Sequence, residues 1–242
     1  DLKSKTRAYI KIQEGCNQFC SYCIIPYARG PIRSRNLEDV LIESKRLANA
    51  GFKEIILTGI HVTSYGKDFQ DLNLIDVIEE ISKIDGIERI RLSSIEPRFI
   101  NKEFMERAIN SKKVCDHFHL SLQSGSDTVL KRMNRKYTTA EFKGIVNLIR
   151  NYMPDAGITT DIIVGFPGET HEEFEETYNF VKDIHFSRIH VFKYSPRKGT
   201  PASKFKNQIH GNIKHERSER LISLGEDLVR SFNEAYIGRT LP

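Results

Sequence analysis

Short runs of β-branched, aromatic and other apolar residues alternate with helical periodicity along the chain. The runs at 7–12, 54–58, 89–93, 117–122, 159–164 and 189–194 read as strands. Between them, apolar residues recur at three- and four-residue steps. The first such stretch opens at Asn36, a good N-cap, with Asp39 three residues on. It places Leu37, Val40, Leu41, Leu47 and Ala48 on one face and stops at Gly51. Further helices are predicted at 73–84, 101–110, 138–151 and 170–183. Thr138 or Thr139 caps the third of these and Thr170 the fourth; Phe142, Ile145, Val146 and Ile149 turn inward in one, Phe174, Tyr178 and Val181 in the other. The last helix, 213–236, carries Leu221, Leu224, Leu228, Phe232 and Tyr236 along one face, which must pack on something.

Six strand–helix units imply an α/β fold of parallel strands with helical crossovers. Periodicity alone leaves an open sheet and a partial barrel as alternatives. The pattern divides into a core over 1–210 and a C-terminal helix at 211–237 that packs on it. With 242 residues and 39% hydrophobic content the chain can bury a sizeable core, and no eighteen-residue apolar run suggests a membrane span. The net charge of +5 admits an acidic partner such as RNA, and equally fits a solvated face. The chain opens at Asp1 and closes on Thr240-Leu241-Pro242, which reads as a piece of a longer protein.

Candidate chemistry concentrates just after the first strand. Cys16, Cys20 and Cys23 form a C-x3-C-x2-C run, and the fourth cysteine, Cys115, is distant. Three such thiolates can hold three corners of a four-iron cluster and leave the fourth iron open to a small molecule. A zinc site would want a fourth ligand and a second spaced pair, and none follows. A c-type haem needs His after the third cysteine, where Ile24 stands. Three crowded cysteines and one remote one make a poor disulfide framework. His61, His117, His119 and His190 lack ligand spacing, and Cys115 reads as a bystander thiol.

The run, with Tyr22 as the aromatic before the third cysteine, resembles that of the radical S-adenosylmethionine (SAM) enzymes. The resemblance implies a partial (β/α)6 barrel of TIM-like type with its chemistry at the carboxyl ends of the strands. It implies a 4Fe–4S cluster on Cys16, Cys20 and Cys23, with SAM chelating the open iron, and no catalytic side chain beyond this cofactor pair. Tyr22 would meet the adenine of SAM. Gly59, in Thr58-Gly59-Ile60-His61, stands where the family has Gly-Gly-Glu; the carboxylate is absent, leaving backbone carbonyls. Glu96 would take the ribose or ammonium, Gln123 a further SAM contact, and Arg135 the SAM carboxylate. Asp161 and Gly165 lie in a segment similar to the family's G-x-I-x-G-x-x-E, with Asp161 replacing its first Gly. Near Tyr194, in Phe192-Lys193-Tyr194-Ser195-Pro196, backbone groups would pair with the adenine edge. Packed aromatics, ordinary turn glycines and a surface arginine are the bland alternatives. Arg29, Arg33 and Arg35 follow the cysteine loop and could meet RNA phosphates.

Lys11-Ile12-Gln13-Glu14-Gly15-Cys16-Asn17, Ile25-Pro26-Tyr27-Ala28-Arg29-Gly30, Leu122-Gln123-Ser124-Gly125-Ser126 and Gly165-Phe166-Pro167-Gly168-Glu169-Thr170 resemble the methylthiotransferases within that family. Thr58-Gly59-Ile60-His61 and Leu92-Ser93-Ser94-Ile95-Glu96-Pro97 look most like the MtaB type, which modifies N6-threonylcarbamoyladenosine 37 of tRNA at C2. The MiaB type (isopentenyladenosine), the RimO type (a ribosomal-protein aspartate) and a non-catalytic iron–sulfur RNA-binding or electron-transfer module are the alternatives. The resemblance further implies a second 4Fe–4S cluster in an N-terminal domain, and a C-terminal TRAM domain whose start resembles Ile237-Gly238-Arg239-Thr240-Leu241. It implies a tRNA anticodon loop and a low-potential electron donor as partners, a monomer, no membrane and a cytoplasmic location.

Overall fold

A computed structural model describes residues 6–69 and 72–240. Two compact units divide the chain: Asp1–Gln18, Ile25–His119 and Leu148–Ala156 in the first, Phe19–Ile24, Leu120–Asn147 and Gly157–Pro242 in the second.

The first unit runs β1 (Arg7–Glu14), α1 (Ile25–Arg29), β2 (Arg33–Ser34), α2 (Leu37–Asn49), β3 (Glu54–Gly59), α3 (Leu74–Ser82), β4 (Arg89–Leu92), α4 (Lys102–Asn110) and β5 (His117–His119). Its sheet has the order β2-β1-β3-β4. β1, β3 and β4 are parallel, and the two-residue β2 turns back antiparallel on the end of β1. The first four residues of β3 are all buried, as a central parallel strand covered on both faces should be. The register slips between Lys11 and Gln13, a bulge that re-aims the end of β1 just before the cysteines. Asn36 caps α2 through the Glu38 N–H, Asn101 caps α4 through the Phe104 N–H, and Asn73 with Asp76 forms a capping box on α3.

The second unit holds α5 (Asp127–Arg132), α6 (Thr139–Tyr152) as far as Asn147, β6 (Gly157–Val164), α7 (His171–Ile184), β7 (Arg188–Lys193) and α8 (Gly211–Glu234). β6 and β7 are parallel from Thr159↔Arg188 to Val164↔Lys193. α8 lies along β7, and Gly225 permits the approach: a Cβ there would sit 2.8 Å from Ile189 Cγ1. Leu221, Leu224 and Leu228 are buried as the periodicity predicts. Phe232 and Tyr236 are not; their rings pack on each other at 5.1 Å, so the buried face of α8 ends near Leu228.

The sequence predicts a strand over 117–122, but β5 stops at His119. Gln123 accounts for part of this: at φ +73° it is left-handed, which breaks a ladder. The segment then meets β6 through Leu120 N–H on Thr159 O at 2.9 Å and the isolated bridge Gln123↔Ile162, while Leu122 N–H bonds the Thr160 hydroxyl. Ser126, which precedes α5, makes no capping bond and pairs its hydroxyl with Thr128. Leu241, at the end of the TRAM-like stretch, lies outside the described residues. Among those described, no helix is long and apolar enough to cross a membrane.

Candidate functional site

In the first unit the strand ends are held by one side chain. Gln13, only 2% exposed, donates from Nε2 to the carbonyls of Glu14 (2.7 Å) and Gly15 (2.8 Å). Its Oε1 accepts the His61 N–H at 2.7 Å. Gly59 fits beneath it: a Cβ would lie 2.9 Å from Gln13 Oε1. The missing side chain at Gly59 is thus explained by Gln13 without any ligand. Gly15, at φ +72°, could carry no Cβ either, since that atom would meet Pro31 O at 1.9 Å. Cys16 N–H donates to Gly30 O at 3.1 Å, and the buried Cys16 Sγ accepts the Gln18 N–H at 3.4 Å. Gln18 reaches on to His61 Nε2 at 3.4 Å. His61 and Glu96 border one cavity of about 450 Å3. Glu96 accepts from Arg98 Nε at 3.1 Å. Of the basic trio, Arg35 is tied to Glu43 and to Asp39 O, whereas Arg29 and Arg33 are exposed. Cys115 is buried, and burial pushes its thiol pKa up, which suits an unreactive role.

In the second unit the cysteine loop is anchored by Ser21, whose N–H donates to Met133 O (3.0 Å) and hydroxyl to Arg132 O (2.8 Å). Phe19 is held at φ +49° with its carbonyl on Asn134 Nδ2 at 2.9 Å. Cys23 N–H closes a turn on Cys20 O at 3.0 Å. Arg135 was expected to reach the SAM carboxylate. Its three nitrogens instead each hold a protein partner: Tyr137 Oη at 3.0 Å, Ser121 O at 3.0 Å and Cys20 Sγ at 3.4 Å. Tyr22 packs edge-on to Phe166, centroids 6.4 Å apart, and burial with Cys20 nearby raises its phenol pKa well above the ordinary value. It is a neutral apolar wall at working pH.

Tyr194 packs on Phe166 at 5.3 Å. Its N–H goes to Val164 O and its carbonyl takes Lys214 Nζ at 2.9 Å, so its own backbone is not open to an adenine edge. Among the described residues its buried hydroxyl has no hydrogen-bond partner. The amide of Gln123, a residue 9% exposed, likewise bonds to nothing among the described residues. Asp161 sits on β6 opposite His190 of β7. Gly165, at φ +68°, passes Lys214, whose Cγ would be 2.3 Å from a Cβ there, and gives its N–H to Glu169 Oε1 at 2.9 Å. Glu169 and Arg217 form a buried pair at 2.5 Å, 3% and 8% exposed, and burial still raises the Glu169 pKa. Gln13, Glu169 and Arg217 were not singled out as site residues. Gln13, near the end of β1 and two residues before Gly15, and Glu169, directly after Gly168, carried a signal in their glycine neighbours; Arg217, on a charged helix, carried none.

Among the described residues no three His, Cys, Asp or Glu side chains form a ready metal cage. The donor set nevertheless fits a cluster. None of the three cysteines is in a disulfide, and N–H donors point at the sulfurs of Cys16 and Cys20. Among the described residues the buried Tyr194 hydroxyl is left without a hydrogen-bond partner, as an absent bound molecule would leave it.

Residues 10–181 match the radical SAM superfamily. The chain belongs to that superfamily. Membership brings the cofactor pair expected from the cysteine run, a 4Fe–4S cluster and SAM. The chain is 49% identical, over 98% of its length and 53% of the relative's, to the Threonylcarbamoyladenosine tRNA methylthiotransferase MtaB of Bacillus subtilis. It is 43% identical, over 99% of its length and 51% of the relative's, to the tRNA-2-methylthio-N(6)-dimethylallyladenosine synthase of Alkaliphilus oremlandii. The chain therefore spans about half the length of these curated relatives. Among solved structures it resembles the radical SAM methyltransferase TsrM of Kitasatospora setae, with TM-score 0.68 and 18% identity, covering 81% of this chain and 38% of that one. Coproporphyrinogen III oxidase (HemN) of Escherichia coli, a radical SAM enzyme, gives TM-score 0.63 at 17% identity, covering 91% and 52%. These likenesses show the fold class: α/β, of the radical SAM type, as the strand–helix alternation and cysteine run imply.

Proposed function

We propose that this chain is the radical SAM part of an enzyme that inserts a methylthio group at C2 of N6-threonylcarbamoyladenosine 37 in tRNA. The observation that carries the reading is the 49% identity, over 98% of the chain, to the Bacillus subtilis MtaB protein. Cys16, Cys20 and Cys23 would hold the cluster. With both cofactors bound, one-electron cleavage of SAM supplies a carbon-centred radical able to take the C2 hydrogen of adenine.

The chain's own residues position and shield. Gln13 fixes the backbone leading into Cys16. Arg135 places a positive charge against Cys20 Sγ, which favours the electron-rich state of a bound cluster. Tyr22, Phe166 and Tyr194 form an aromatic wall that excludes water. The Gln123 amide and Tyr194 hydroxyl are the proposed polar contacts to SAM. Arg29 and Arg33 would meet backbone phosphates of an anticodon loop, where a base is easily unstacked. A low-potential electron donor, a monomeric state and a cytoplasmic location belong to the same proposal.

Two measurements test it. Chain loaded anaerobically with iron and sulfide should yield 5′-deoxyadenosine from SAM and dithionite; a simple electron carrier would yield none. Nucleosides of tRNA from a strain lacking the gene should contain no 2-methylthio-N6-threonylcarbamoyladenosine. Loss of the 2-methylthio-isopentenyl nucleoside instead would select the dimethylallyladenosine reading, which the 43% identity to the Alkaliphilus oremlandii synthase supports.

A further inference from the structure

The 450 Å3 cavity of the first unit lies beyond the carboxyl ends of β3 and β4, against the first turns of α3 and α4. Its size falls within the range of about 300–1,000 Å3 usual for small-molecule sites. The walls are mostly polar. His61 and Thr63 come from the turn after β3, Lys67 from the loop that follows, and Glu96 and Arg98 from the turn after β4, with Phe99 as an apolar side. The cavity is also linked to the cysteine loop by direct contacts. Cys16 Sγ takes the Gln18 N–H, and the Gln18 side chain meets His61, which borders the cavity.

The charges around it are unequally used. Glu96 is paired with Arg98, and Glu103 stands 3.5 Å from Arg107, a guanidinium held more closely by Asp76 and Glu79. Lys67 is exposed, and its ammonium has no ion pair among the described residues. Lys67 therefore offers an ammonium that no carboxylate among the described residues engages. An isopentenyl group placed here would return no hydrogen bond to Lys67 or Arg98. A substituent with a carboxylate and a hydroxyl would satisfy them. Sites built to bond such groups discriminate strongly against analogues that lack them.

We propose that this cavity receives the carboxylate-bearing threonylcarbamoyl substituent of the target adenosine, with Lys67 as the carboxylate contact and Arg98, held by Glu96, beside it. The inference rests on the tRNA reading above and assigns its substrate specificity to the first unit.

The test is binding by the full chain, cluster-loaded, to anticodon stem–loops. The four probes carry adenosine, N6-isopentenyladenosine, N6-threonylcarbamoyladenosine, or the last with its carboxylate converted to the neutral amide. The threonylcarbamoyl probe should bind about tenfold or more tighter than the other three, as one charge-assisted contact implies. Lys67→Gln should remove that margin and Lys67→Arg should keep it, with circular dichroism and melting unchanged for this exposed side chain. Equal binding of all four probes overturns the cavity assignment. A threonylcarbamoyl preference that survives Lys67→Gln also overturns it and leaves the proposed function standing. A preference for the isopentenyl probe overturns both.

Discussion

Two glutamines at strand ends, Gln13 and Gln123, are 2% and 9% exposed and are used in opposite ways. Gln13, in the first unit, has its donor and acceptor atoms filled by Glu14 O, Gly15 O and His61 N–H. Gln123, in the second, sits in a left-handed conformation with its amide bonded to nothing among the described residues. A saturated buried amide is a structural tie; its value lies in what it holds. A non-glycine residue held in the left-handed region costs backbone strain, and such strain clusters where a ligand is bound. The contrast teaches which of two similar residues to suspect of function, and sequence alone does not draw it.

The largest effect should come from the buried pair that closes the second unit's own turn. Glu169→Ala leaves the Arg217 charge buried and frees Gly165 N–H. It should cost roughly 3–5 kcal/mol by urea unfolding; a loss under about 1 kcal/mol would show the pair to be solvated. Gln13→Ala strands two carbonyls and one N–H, and should cost roughly 2–4 kcal/mol. It should also loosen His61, visible as faster amide exchange at that residue. Gln123→Gly should break the comparison from the other side: stability unchanged or raised by about 1 kcal/mol, because glycine accepts a positive φ. SAM affinity should nevertheless fall about tenfold in equilibrium dialysis. If Gln13 and Gln123 variants lost stability alike, the distinction would be empty.

The smallest effect is a pH dependence. Arg132 clasps Glu173 through two nitrogens, at 2.8 and 2.6 Å, and holds its carboxyl pKa down to about 2 from 4.5. The unfolded chain therefore binds the extra proton in that window. The pair's contribution is complete above about pH 4.5 and is lost as pH falls toward 2. Wild type should exceed Glu173→Gln in stability near neutrality, and the difference should shrink through that range.

Local patterns reached far into this molecule. Alternating β-branched runs and three- and four-residue apolar steps placed β1, β3, β4, β6 and β7 and the helices α2, α3, α4, α6, α7 and α8, because burial of one face imposes its period on the sequence. The segments without that signal, α1, β2 and α5, are two to six residues long, too short to show a period. The cysteine run was likewise legible, since ligand spacing is a property of the chain itself. Tertiary structure alone decided which polar residues were already occupied. Gly59 yields to Gln13, Gly165 to Lys214, and Arg135 to Cys20, Ser121 and Tyr137. The Arg135–Cys20 contact, for one, joins residues 115 apart in the sequence, and no local period encodes such a distance.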